Sequence, residues 1–305
     1  MIVDIPTAAD FQSAGLKQVH LAWQIAMQSL HDFDEATYYK LADETPEEAA
    51  EEFWQRSQPA LANAYSLIQQ GMELALKGRI AAITPYLLIG DPKDWTRSAA
   101  STPVSFGEFR TLDAADLVRV HNSVAAPPLD DTFNTFFDEV RRDRNRIMHS
   151  AAPGTFTPGG VVRTLLIAIE ALFNDIPWPR RLRELEDESK FASLGFDDSA
   201  RNNVLRQIDT AIGHLQPAEA KRFFGYDNDR RGYLCPRCYF ESNRDYQDEW
   251  PHLAQLTTKT RGATELYCLV CEETTETERR PCAEEDCKGD VTAEGICLTC
   301  THSED

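Results

Sequence analysis

The stretch "DDTFNTFFDEVRRDRNRIMH", residues 130–149, decides how the rest of the chain is read. Apolar side chains recur at Phe133, Phe136, Phe137, Val140, Ile147 and Met148, which share one side of a helix at 100° per residue. The spacing predicts a helix from about residue 131. The opposite side carries Arg141, Arg142, Asn145, Arg146 and His149. Arg144 falls inside the apolar stripe, between Val140 and Ile147. A solvated basic face near a helix C-terminus, where cations are mildly favoured, accounts for Arg142 and Arg146. It accounts poorly for Arg144. An unpaired charge on a core-facing stripe is costly, so this guanidinium must be paired, snorkel to the surface, or meet another surface.

Helical signals continue on both sides. Thr7 with Asp10 has the form of a capping box, and Phe11, Leu16, Val19, Trp23, Ala26 and Leu30 follow at helical spacing to about residue 31. Thr45 before Pro46 marks a second start, with proline in the first turn. Pro59 opens or kinks a long helix through "PALANAYSLIQQGMELALKGRIAAITPYLL". Residues 91–108 are polar and punctuated by Gly and Pro, and read as a loop. "LDAADLVRVHNSV" (112–124) is a short helix, broken by Pro127 and Pro128. "APGTFTPGG" is a loop, and "VVRTLLIAIEALF" (161–173) is apolar enough to be a core helix. "PWPRRLRELEDESK" and "DDSARNNVLRQIDTAIGHL" are two further polar helices. Before the cysteine-rich end no alternating run suggests a strand, so the expected class is mainly α.

The chain has 305 residues, 42% of them hydrophobic, enough for a real core. The start lacks a basic segment followed by an apolar run, and no stretch approaches ~18 uncharged apolar residues. The expectation is a soluble, cytoplasmic protein with no membrane partner. The net charge of −19 looks hostile to nucleic acid, but it is unevenly spread. Residues 1–58 hold 3 basic and 11 acidic side chains, and residues 232–305 hold 7 and 16. Residues 59–150 hold 10 and 11, and residues 151–231 hold 11 and 12. The middle of the chain can therefore carry a local basic patch, and RNA is not excluded.

All eight cysteines follow residue 234, as "CPRC" (235–238), "CLVC" (268–271), "CAEEDC" (282–287) and "CLTC" (297–300). Close pairs in a reducing compartment point to metal rather than disulfides. Taken in order, Cys235, Cys238, Cys268 and Cys271 form one tetrahedral zinc set, and Cys282, Cys287, Cys297 and Cys300 form the second. A cross-braced pairing of first knuckle with third and second with fourth is the alternative. Redox CxxC and iron–sulfur readings fit four such pairs less well. His252 and His302 are then spare. Two closed sites are structural, and zinc explains how an acidic, weakly apolar end could fold.

"RNRIMH" resembles the R-N-x-x-x-H form of the R-x(4–6)-H motif of HEPN domains, helical bundles found in many ribonucleases that cut without metal. Arg142 also satisfies the spacing, with six intervening residues. "GMELALKGRI" (71–80), with Glu73 and Lys77, resembles the first core helix of that family, and "ADLVRVHNSV" (115–124) a second. The resemblance covers residues 59–176. With the charge distribution and the cysteine spacing it divides the chain into four regions: an acidic helical extension (1–58) outside the likeness, a HEPN-like bundle (59–176), a helical connector (177–231) and, also outside the likeness, two four-cysteine zinc ribbons (232–305). The resemblance implies Arg144 and His149 as the catalytic pair with Asn145 assisting, and a homodimer in which two motifs face each other; Arg141, Arg142 and Arg146, on the polar side, are the expected RNA contacts. RNA would be cut by its own 2′-hydroxyl, with no catalytic metal, in a role such as toxin or anti-phage defence. The competing expectation is a non-catalytic module that binds RNA, nucleotide or protein. The acidity of the zinc end favours a protein partner there.

No phosphate-binding glycine loop, dinucleotide fingerprint or HExxH is present. Glu73 and Lys77, four apart, equally suit an ordinary ion pair. His20, His31, His121 and His214 read as bland, and Trp54, Trp95 and Trp178 as packing residues.

Overall fold

The capping box forms as the sequence requires: the Thr7 N–H donates to Asp10 Oδ2 at 2.8 Å, and the Asp10 N–H donates to Thr7 Oγ1 at 3.2 Å. It starts helix α1, Ala8–Tyr38, in the computed structural model of the chain. The structure describes residues 1–38, 46–91, 93, 103–150, 154–189, 192–195, 197–242 and 250–303. Thr45 and Trp95 lie outside them. These residues divide into two compact units, Met1–Asn174 and Asp175–Asp305.

In the first unit α1 runs a further two turns beyond residue 31. Phe33 keeps the apolar spacing and meets Phe53 and Trp54, ring centroids 5.3 and 4.9 Å apart. Both partners lie on α2, Pro46–Ala81, which continues unbroken through Pro59. Near the proline, which cannot donate a backbone bond, the Ser57 and Gln58 side chains donate to the Phe53 and Trp54 carbonyls, each at 2.9 Å. The boundary placed at 58/59 falls within this helix. The two helices touch where glycines face each other. A Cβ on Gly15 would lie 2.9 Å from the Gly71 carbonyl oxygen, and one on Gly71 would lie 2.6 Å from Val19 Cγ2.

Three shorter α-helices follow among the described residues of the unit: α3 (Ala114–Val124), α4 (Asp131–His149) and α5 (Pro158–Leu172). α2 is central, packing against α1, α3, α4 and α5. Its buried residues include Leu61, Ile68, Met72, Leu76 and Ile80, against Val162, Leu165 and Ile169 of α5 and Leu117 of α3 among the core. Each short helix has a start that the sequence encodes. Asp130 accepts from the Phe133 N–H at 2.7 Å, and Thr157 accepts from the Gly160 N–H at 3.1 Å ahead of Pro158. Asn122 closes the Pro127–Pro128 break, bonding both the N–H and the carbonyl of Leu129 at 2.9 and 3.0 Å. The C-terminal carbonyls of α5 are held by Arg79 Nη2 on Ala171 O at 2.7 Å and Gln12 Nε2 on Leu172 O at 3.0 Å. Two strands were not expected here. β1 (Ile2–Val3) pairs in parallel with β2 (Val104–Ser105), inside the stretch read as a loop. Two-residue strands are too short to show a period.

The second unit begins with α6 (Trp178–Asp187) and α7 (Asp197–Gly213), the two polar helices expected. Two more helices follow, α8 (Pro217–Phe224) and α9 (Pro236–Glu241), each opening on a proline and too short for periodicity to register. Two antiparallel sheets then form, β3 (Ala254–Leu256), β4 (Glu265–Cys268) and β5 (Thr274–Glu276), and β6 (Glu278–Arg279), β7 (Val291–Ala293) and β8 (Ile296–Cys297). The boundary placed at 231/232 lies inside this unit. The described residues are thus mainly helical, with small C-terminal sheets that carry the cysteines. None of their helices is long and apolar enough to cross a membrane.

Candidate functional site

The cysteines assemble in sequence order. The Sγ atoms of Cys235, Cys238, Cys268 and Cys271 lie within 4.8 Å of one another, and so do those of Cys282, Cys287, Cys297 and Cys300. Four thiolates ~2.3 Å from a tetrahedral zinc would stand roughly 3.8 Å apart. The observed separations include 3.6 Å (Cys235–Cys271) and 3.9 Å (Cys238–Cys268) in one group. They are 3.6 Å (Cys282–Cys300) and 3.8 Å (Cys287–Cys297) in the other. All eight thiols are free of disulfides, and their grouping is sequential, not cross-braced. Backbone N–H groups already point at sulfur: Cys238 at Cys235 (3.5 Å), Glu284 at Cys282 (3.4 Å) and Gly289 at Cys287 (3.3 Å). A Cβ on Gly289 would sit 2.7 Å from Cys297 Sγ, so the second cradle has no room for one. Without a cation four packed thiols cannot all ionise. The Cys238 thiol is pushed up by hydrogen bonds to Cys235, Cys268 and Cys271 and by burial, while those to Cys235, Cys238 and Cys268 push Cys271 down. A divalent ion would supply the missing charge, and the two sets fit two structural zinc ions. His252 and His302 stand outside them, and His302 Nδ1 lies 2.9 Å from Glu284 Oε2.

The arginine-rich stretch forms the C-terminal half of α4. Phe133, Phe137 and Val140 are buried, as the stripe requires, but its last turn emerges: Ile147 is half-buried and Met148 is 57% exposed. An open cleft of about 920 Å³ runs along the helix. Arg142, Asn145, Arg146 and His149, at spacings of three and four residues, line it. Arg163 and Thr164 of α5 and Tyr65 of α2 line it as well. Arg144 is not among the lining residues. It is half-buried, one position off that face, with Nη1 3.4 Å from Asn145 Oδ1. Arg141 turns to Asp138, at 3.3 Å.

Two acids, Asp143 and Glu139, also line the cleft. Asp143 is engaged twice: Tyr65 Oη donates to its Oδ2 at 3.0 Å, and Arg146 pairs with its Oδ1. Burial, then the Asp143 charge, holds the Tyr65 phenol well above the usual range, so it stays a neutral donor. The Tyr65 ring packs on Phe156, centroids 4.8 Å apart. Phe156 is itself fastened to α2 by a reciprocal pair with Gln58, at 2.8 and 3.0 Å. The cleft wall is therefore braced from three elements, and cations outnumber acids along it. His149 is the last residue of α4 and is exposed.

Sequence reasoning missed Tyr65, Asp143 and Arg163. Arg163 was visible as a charge in an otherwise apolar helix; nothing local marked Tyr65. Glu73 and Lys77 do not pair with each other: Glu73 takes a bond from Gln69, and Lys77 Nζ reaches Thr111 Oγ1 at 3.1 Å. His121 is buried, with Nδ1 2.9 Å from Asn122 Oδ1, and Trp178 is buried too. Comparison of the chain with protein-family models, with curated proteins and with solved structures finds no match.

Proposed function

We propose that the first unit is a HEPN-type endoribonuclease that cleaves RNA by attack of the RNA's own 2′-hydroxyl. The observation that carries this reading is the cleft, where His149 and Asn145 stand beside Arg142 and Arg146, with Arg163 on the same cleft. A neutral imidazole accepts the 2′-hydroxyl proton as the 2′-oxygen attacks phosphorus. The P–O5′ bond breaks, and the 5′-oxygen leaves with a proton. Planar guanidinium groups hold the phosphate oxygens while negative charge builds on them. Proton removal and proton return ask for two groups. A homodimer that brings two α4 ends together supplies a second His149 and covers the emergent turn of Ile147 and Met148. The product ends in a 2′,3′-cyclic phosphate, and 2′-deoxyribose at the cleaved position blocks the reaction.

The arginines on the cleft, Arg142, Arg146 and Arg163, do not include Arg144 of the R-N-x-x-x-H motif, so the test must separate them. Purified protein is incubated with mixed RNA in excess EDTA. His149→Ala should reduce cleavage by a factor on the order of 10² or more. Arg142→Ala and Arg144→Lys then assign the phosphate-holding role. If the cleft face supplies it, Arg142→Ala falls as far as His149→Ala while Arg144→Lys keeps most activity. The reverse pattern assigns it to Arg144. Cleavage that survives His149→Ala unchanged refutes the proposal.

A further inference from the structure

We infer that the second unit carries a built phosphate-binding patch, formed by Lys221, Arg230 and Lys259 around Asp227 with Arg261 two positions further along, that takes the backbone of an RNA strand. The inference rests on the RNA-directed reading of the cleft for the identity of the polyanion, and on its own geometry for the site.

Residues 175–305 hold 27 acidic and 17 basic side chains, so a concentration of cations here stands out. Three converge on a single oxygen. Arg230 Nε and Lys259 Nζ each lie 3.4 Å from Asp227 Oδ2, and Lys221 Nζ lies 3.9 Å from it. The other oxygen, Oδ1, accepts the Asp229 N–H at 3.1 Å. Segments 217–231 and 254–262 together hold six basic side chains against three acidic ones, Glu219, Asp227 and Asp229, so the patch keeps an excess of positive charge. All three cationic nitrogens lie within roughly 8 Å of one another, inside the ~10 Å screening length.

The stability of the fold does not ask for this arrangement. Arg230, 30% exposed, pairs with Asp227 at 3.4 Å and also holds the Leu256 and Thr257 carbonyls at 3.0 and 3.3 Å. The Lys221 and Lys259 side chains are 68% and 58% exposed, where an ion pair contributes little. The mount is nevertheless rigid. Gln255 on β3 bonds the Asp227 N–H and carbonyl at 2.9 and 2.8 Å, tying the loop after α8 to the sheet. Lys259 and Arg261 belong to the β3–β4 connection, whose residues 257–262 are all exposed. An anion seated here would relieve the mutual repulsion of the cations.

The chemistry favours a phosphate chain over an acidic protein. Among the described residues, none of the exposed large apolar side chains belongs to the segments 217–231 or 254–262 that build the patch. A protein interface draws its affinity from buried aromatic and apolar anchors, whereas phosphate contacts need only cations and released counterions. The acidic remainder of the unit confines a polyanion to this face.

The test measures binding of full-length protein to a fluorescent oligouridylate with 2′-O-methyl sugars, which cannot be cleaved by 2′-hydroxyl attack. The variant is Lys221→Ala/Lys259→Ala/Arg261→Ala, with Arg230 kept because it holds the strand. Affinity should fall at least tenfold, and the slope of log K against log salt should shrink by about 2, near 0.7 for each phosphate of a single strand that is no longer neutralised. Lys221→Arg/Lys259→Arg should bind like the unaltered protein, which separates loss of charge from loss of fold. Unchanged affinity and slope in the triple alanine variant would overturn the inference. So would unchanged RNA binding with loss of poly-glutamate binding, which would mark a site for acidic protein. If the unaltered protein cuts no RNA but the triple variant loses binding, the patch stands and the ribonuclease reading falls. If His149→Ala abolishes cleavage while the triple variant binds normally, the reverse holds.

Discussion

Gly15→Ala is the perturbation whose outcome the packing of α1 on α2 fixes most closely. A Cβ at residue 15 would lie 2.9 Å from the Gly71 carbonyl oxygen and 3.2 Å from the Ala75 nitrogen. Both are backbone atoms of α2, so no rotamer change relieves the overlap; the two helices must separate. Overpacking of this kind costs ~1–3 kcal/mol, and the upper end applies because backbone cannot yield. Replacing glycine in a helix interior contributes about 1 kcal/mol in the opposite direction. The net is a loss of roughly 2 kcal/mol. For a unit of this size that lowers Tm by about 4–8 °C. Gly71→Ala meets Val19 Cγ2 at 2.6 Å and the Gly15 carbonyl oxygen at 3.0 Å, and should behave alike. Once the helices are forced apart the second methyl group finds part of its room already made. The double variant should therefore lose less than the sum of the singles. Gly213→Ala is the control: it ends α7, has no atom within 4 Å of the added Cβ, and is not in the positive-φ region. It should be neutral or gain about 0.5 kcal/mol. Thermal and urea unfolding followed by far-UV circular dichroism measure all four. A Gly15→Ala protein as stable as the unaltered chain would refute the close approach of the two helices.

Elemental analysis should return two zinc ions per chain. Gly289→Ala, whose Cβ would crowd Cys297 Sγ at 2.7 Å and Thr299 Oγ1 at 2.8 Å, should reduce this to one while leaving the first set loaded; two retained ions would show that the second cradle tolerates the methyl group. Arg79→Met keeps the aliphatic stem of a half-buried side chain but removes the donor to the Ala171 carbonyl. It should cost about 1.5–3 kcal/mol in urea unfolding, and a loss below about half a kcal/mol would mean that Gln12 or water satisfies the end of α5 alone.

Much of this protein is legible along the chain because the governing interactions are local. Cys235 and Cys238, three apart and turned by Pro236 and the Cys238 N–H, set their own geometry, and each of the other pairs closes over five residues or fewer, so the knuckles were visible from spacing. The pairing of knuckles followed from order, and the structure closes them that way. Helix starts at Thr7, Asp130 and Thr157 depend on side chains within three residues of the backbone groups they bind. The apolar stripes that bury Phe133, Phe137 and Val140 repeat within a few turns. What the sequence could not decide depends on residues far apart in the chain. Tyr65 joins Asp143 across 78 positions, and Gln58 fastens Phe156 across 98. Gly15 and Gly71 read singly as helix-weakening residues, and only the contact between α1 and α2 turns them into a packing requirement. The arginines of α4 make the same point. A helical wheel ranks their directions, but which direction is a cleft depends on where α2 and α5 pack, and that packing puts Arg142 and Arg146 on the cleft and Arg144 beside it.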